Sequence, residues 1–184
     1  MTEIITKSEK LDLYLSEYKS LIGDDFAGYR GHLYRVLNYT LYFLNYDETN
    51  RDIIEFALVH HDIGLWSDQE LAYLEPSIER AKQMNADKKL GYDDNLVFDL
   101  IFNHHKVTSY KKKNAPLVNA FRKADWIDAT KGRITKGMPL EFIHCVNGKI
   151  PANGFYDTLD RLGSELSGQK KLRMMMKFMK VFKW

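Results

Sequence analysis

The chain holds a single cysteine, Cys145, and four prolines in 184 residues. It contains no run of about 18 apolar residues. One thiol excludes an internal disulfide framework and any zinc site built from several thiolates. The missing apolar run excludes a helix of ordinary membrane-spanning length. An excess of one charge is absent too: 27 Lys and Arg against 25 Asp and Glu give a net charge of +2. That balance argues against a general nucleic-acid coat protein, and no stable nucleic-acid complex is expected. The N-terminus, MTEIITKSEKLDLYLSEYKS, is too polar and too acidic for a secretory signal, so a cytoplasmic location is expected. No linker, repeat or low-complexity tract divides the chain. Its 45% hydrophobic content suffices for one compact domain over residues 1–184.

What is present is helical periodicity. With prolines only at 76, 116, 139 and 151, apolar residues recur mostly at three- and four-residue spacing, which predicts an all-α bundle. Helices are expected near 6–21, 27–45, 51–63, 75–87, 92–106, 115–131, 136–146 and 157–183. Thr49 and Asp52 suggest a capping box ahead of the third helix, and Gly64 suits its stop. Pro76 and Pro116 suit first turns. The stretch VNGKIPANGF, 146–155, reads as a turn or short hairpin.

The lysines at 111–113 and the C-terminal run KKLRMMMKFMKVFKW hold much of the positive charge. The first is expected to be solvated surface. The stripe Leu172, Met175, Met176, Met179 and Phe182 is expected to dock on the domain core or on a second subunit, as in a homodimer.

The six histidines, at 32, 60, 61, 104, 105 and 144, carry the chemical interest. His32 shares a helix face with Val36, Tyr39 and Phe43 and points inward. His61 and Asp62 close a largely apolar helix in EFALVHHDIGLW, where burying adjacent polar groups is costly unless something pairs with them. His104 and His105 close another helix in LIFNHHK. Asp125 lies on an apolar helix in VNAFRKADWIDATKG. Neighbours such as His61 and Asp62 cannot share one helical face, but in a last turn both side chains can reach one point. Inward histidines and carboxylates from different helices make a nitrogen and oxygen ligand set for a divalent cation. Taken singly, each has a plainer reading: His32 as a hydrogen-bonded core residue, Asp125 as a partner of Arg122. His144 has no acidic neighbour and keeps the plain reading.

The order of these residues resembles the HD-domain superfamily of metal-dependent phosphohydrolases. The matching residues are His32, His61-Asp62 in HHDIG, and Asp125 in KADWIDA, with IFNHHK similar to a further His-His segment. The resemblance spans roughly residues 28 to 130. It implies a helical bundle in which His32, His61, Asp62 and Asp125 hold one divalent ion, whether Mn, Fe, Co, Ni, Zn or Mg. It also implies hydrolysis of a phosphate ester of a small molecule, often a nucleotide.

The positions after the motif depart from the family. Leu65-Trp66-Ser67-Asp68 stands where many members carry Lys or Glu, and Lys106 follows the His-His pair instead of Glu. No histidine lies between Asp62 and His104, against the pattern of two-metal members and iron oxygenases. Within this framework Asp62 and His104 are the catalytic candidates, and Arg35, His105 and Lys106 the phosphate-binding ones. Arg35 lies one turn from His32. The ladder Phe98, Ile101, His105 leaves open which histidine of the pair faces inward, and the resemblance favours His104. Asp128, one turn after Asp125, is either a carboxylate that orients a ligand or a solvent-facing one. A regulatory HD-like domain that binds metal without turnover is the main alternative to an enzyme.

Overall fold

The computed structural model describes residues 3–68 and 72–167. The fold is all-helical, a helical bundle, with no strand among the described residues. Helix α1 spans Glu9–Ser16 and α2 Lys19–Ile22; a 3-10 turn, Gly23–Asp25, leads into α3, Phe26–Phe43. Then follow α4 (Arg51–His60), α5 (Gly64–Ser67), α6 (Leu74–Asp87), α7 (Asp94–Asn103), α8 (Ala115–Ala129), α9 (Leu140–Lys149) and α10 (Phe155–Ser167). No helix among the described residues is long and apolar enough to cross a membrane.

Helix α3 is the axis of the bundle. It packs along α8 and also touches α4, α9 and α10. Nearly every residue from Gly28 to Leu41 is buried, polar ones included, so its surroundings are protein on all sides. Gly28 and Gly31 permit this. A Cβ on Gly28 would stand 2.9 Å from the Asn153 carbonyl oxygen, and one on Gly31 2.9 Å from that of Pro151. The segment 150–155 therefore crosses α3 within one turn of His32, closer than any side chain would allow.

Local signals set most helix ends. Ser8 caps α1 by accepting from the Leu11 amide, and Asp93 caps α7 by accepting from Asn95 at 2.9 Å. Pro116 occupies the first turn of α8.

Other ends differ from expectation. Thr49 does not form a capping box; its hydroxyl donates to Asp47 at 2.5 Å, and Asn50 precedes α4 with no side-chain cap. Helix α9 begins at Leu140, because Lys136 and Gly137 have φ of 50° and 89° and Pro139 is extended. It runs on through Asn147 and Gly148, so of the turn or short hairpin expected over 146–155 the structure has a turn, confined to the segment between Ile150 and Gly154. The stripe from Leu172 to Phe182 lies outside the described residues.

Candidate metal centre

Two helix ends and two helix interiors meet at one buried point. Helix α4 stops at His60 and the chain turns through His61, Asp62 and Ile63, which frees His61 and Asp62 from opposite helical faces. The turn is fixed from behind. The Gly64 amide donates to Ser77 Oγ at 2.9 Å, and a Cβ on Gly64 would lie 2.3 Å from the Tyr73 carbonyl oxygen. Gly64 therefore serves a close crossing and opens α5, where a helix stop was expected. His104 and His105 follow the last residue of α7, His32 projects from α3, and Asp125 from α8.

The distances are short. His32 Nε2 and His61 Nε2 are 3.1 Å apart. Asp62 Oδ2 lies 3.2 Å from His61 Nε2 and 3.8 Å from His32 Nε2. Asp125 Oδ1 lies 3.6 Å from His32 Nε2 and 3.7 Å from His61 Nε2. The structure thus brings His32, His61, Asp62 and Asp125 together. His104 joins them, with Nε2 3.3 Å from Asp62 Oδ1, and His105 Nδ1 is 3.5 Å from Asp125 Oδ2. His32, His61 and Asp62 form one group that could hold a metal ion; Asp62, His104 and His105 form a second. Asp62 is common to both. His104, expected to act on substrate behind the ligands, stands among the ligand-competent groups.

Protonation follows from the far side of each ring. His61 Nδ1 contacts the Leu58 carbonyl oxygen at 2.6 Å, and His104 Nδ1 that of Ile101 at 2.6 Å. A carbonyl only accepts, so both Nδ1 atoms carry the hydrogen. His32 Nδ1 donates in the same way to Asp128 Oδ2 at 2.7 Å. Burial alone would raise the Asp128 carboxyl, but His32 and Arg35 outweigh it and hold it below its ordinary value. With Nδ1 engaged on its far side, each of His32, His61 and His104 turns Nε2 toward two carboxylates.

Such an arrangement repels itself unless positive charge sits among it. Asp62 Oδ1, Asp125 Oδ2 and His104 Nε2 are buried with no hydrogen-bond partner, the pattern of a site built around an ion. Burial opposes charge on His61, yet Asp62 and Asp125 override it and push its pKa up to about 9, as a proton substitutes for the cation. Burial likewise works against Asp62, but His61 and His104 hold it well below the usual carboxylate range. Burial and His104 take His105 the other way, down to about 3. Nitrogen and carboxylate donors in this mixture suit a divalent transition metal.

Arg35 and Lys106 are the remaining expected site residues. Arg35, read as a phosphate ligand, is 1% exposed, and its Nε and Nη2 donate to Asp128 at 2.6 and 2.8 Å. Its Nη1 donates to the Pro151 carbonyl at 3.1 Å. The guanidinium is committed to the frame, where it anchors the carboxylate that orients His32. Asp128 accordingly faces inward. Lys106 follows His105, half-buried, with its carbonyl accepting from Arg122.

His60 belongs to the core. Its Nδ1 donates to the Phe56 carbonyl at 2.7 Å, it packs edge-on against Tyr18, and burial lowers its pKa to about 4.

Three aromatic residues of the wall have no signature in the sequence. Phe155 stacks on the His32 ring at 4.2 Å, Tyr29 lies alongside His32 and His61, and the Tyr73 hydroxyl is hydrogen-bonded to His105 Nε2. Each is a large aromatic at an element boundary or on a fully buried face, which marks it as core and nothing more. Comparison with protein-family models, with curated proteins and with solved structures finds no match to this chain.

Proposed function

We propose that this chain is a metal-dependent phosphohydrolase of the HD type, acting on a phosphate ester of a small molecule such as a nucleotide. The observation that carries the reading is the convergence of His32, His61, Asp62 and Asp125 with Nε2 of both imidazoles turned inward. The order of those residues in the chain resembles that superfamily. A divalent ion bound there neutralises phosphate oxygens and lowers the pKa of the water it binds.

The chain's own groups supply the rest. Asp128, Leu58 and Ile101 hold the rings of His32, His61 and His104 in register. Asp62 and Asp125 stay ionised and give the site its negative charge. Phe155 and Tyr29 keep bulk water from the buried side. His105, with 17% of its side chain exposed, marks the side from which an anionic group approaches, and Lys106 adjoins it.

A regulatory domain that binds metal without turnover is the second reading. The burial of Arg35 on Asp128 favours it, because the cation nearest the cluster on α3 is withdrawn from any substrate. Purification without chelator, followed by a phosphate-release screen over small phosphoesters and nucleotides, separates the two. Cation-dependent release that disappears in Asp62→Ala supports the hydrolase. Stoichiometric metal with no release from any ester supports the regulatory domain.

A further inference from the structure

His105 is held unlike its neighbours. His32, His61 and His104 each engage Nδ1 outward, on a carboxylate or a carbonyl, and present Nε2 to the cluster. His105 is reversed: its Nδ1 lies 3.5 Å from Asp125 Oδ2, and its Nε2 meets the Tyr73 hydroxyl. For Nδ1 to offer a lone pair, the ring hydrogen must sit on Nε2 and find an acceptor there. A phenol oxygen is such an acceptor.

Tyr73 is itself fixed from two directions. Its backbone carbonyl lies against Gly64, just behind Asp62, and its ring packs against His104 and His105 at 6.4 and 6.1 Å. Tyr73 is 5% exposed, so its hydroxyl has little access to water in place of His105.

We infer that Tyr73 is a positioning residue that makes His105 an Nδ1 ligand and so sets the strength of the second cation group, Asp62, His104 and His105. The inference rests on the metal-site reading proposed above. It also makes the two groups unequal. Both rings of the group around His32 and His61 are anchored, by a buried carboxylate and a carbonyl, whereas in the second group the Ile101 carbonyl anchors only His104 and His105 depends on one phenol at the more exposed edge. Filling is therefore ordered, with the His32 and His61 group first.

The test uses Zn²⁺ alone, titrated calorimetrically into chelator-stripped full-length wild type and Tyr73→Phe. The substitution removes one oxygen and keeps the ring, so the packing survives. Wild type should bind in two steps. Tyr73→Phe should keep the first step and weaken the second by roughly tenfold or more, the usual effect of losing a partner behind a metal ligand. A second readout separates positioning from general support: the spectrum of ¹⁵N-histidine-labelled, Zn²⁺-loaded protein. His105 alone should show a metal-bound Nδ1 with a protonated Nε2, and only that signature should change in Tyr73→Phe.

Two equal steps in both proteins, or an Nε2-bound His105, would overturn the inference and leave the metal site standing. A single step in wild type would overturn it as well. Absence of any Zn²⁺ binding by wild type would instead remove the metal-site reading on which it rests.

Discussion

His32 and His61, 29 residues apart in the chain, turn their Nε2 atoms toward each other at 3.1 Å while each Nδ1 is engaged behind it. Without a proton or a cation between them, imidazoles so arranged would present lone pair to lone pair. The fold therefore creates a demand for positive charge, and the ionised Asp62 and Asp125 beside the pair enlarge it.

The first prediction follows from linkage. A divalent transition metal that binds only the folded state should stabilise it, by about 4 kcal/mol at a thousandfold excess over its Kd. Thermal melts of chelator-stripped protein with and without Mn²⁺, Co²⁺ or Zn²⁺ should show a clear rise in Tm for at least one ion. Identical melts for all would count against the site.

Removal of Asp62 should separate binding from folding. The carboxylate belongs to both candidate groups and is buried with one oxygen unpaired. Asp62→Asn should therefore abolish metal retention and any phosphate release. The metal-free variant should stay folded but melt below metal-free wild type, since a charge partner of His61 has been removed. A metal-free Asp62→Asn protein that fails to fold, where metal-free wild type folds, would make Asp62 a structural residue.

Asp128 belongs to the frame instead. It is 2% exposed and accepts from His32 and from both Nε and Nη2 of Arg35. Asp128→Asn leaves the buried guanidinium without its counter-charge, which typically costs about 3–5 kcal/mol. Urea unfolding of the metal-free protein should show that loss. A loss seen only in the presence of metal would mean that Asp128 acts solely through His32.

His60 provides the pH dependence. Its folded pKa of about 4 lies below the ordinary value of 6.5, so the unfolded chain binds the extra proton first as pH falls. Its contribution is thus complete above the unfolded pKa and is lost as pH falls toward the folded one. By proton linkage, the metal-free protein should lose about 2 kcal/mol from this residue between pH 7 and pH 5. Urea titrations of wild type and His60→Leu at the two pH values isolate the contribution. A difference between the proteins that does not change with pH would contradict it.

The parts of this structure written in local periodicity were legible in the sequence. The spans of α3, α4, α6, α7 and α8 follow from apolar spacing to within a few residues, and the inward aim of His32 follows from its helix face. The four-residue α5 and the 3-10 turn before α3 carry too little period to be seen. Arg35 shows a different limit. Its place one turn from His32 is visible, but its engagement depends on α3 lying along α8, which puts Asp128 opposite both residues. That pairing is a tertiary fact. Tyr73 likewise reaches His105 only because the chain after α5 folds back over Gly64, a crossing visible to sequence reading only as a glycine.

The most direct test of the metal centre is elemental analysis of protein purified without chelator, wild type beside His61→Ala. A site built from His32, His61, Asp62 and Asp125 should retain about one divalent transition metal per chain, or more where the second group fills. His61→Ala should lose the ion of the first group while remaining folded. Wild-type protein that carries no metal, takes up none on dialysis against transition-metal ions, and keeps His61 protonated at neutral pH would contradict the account.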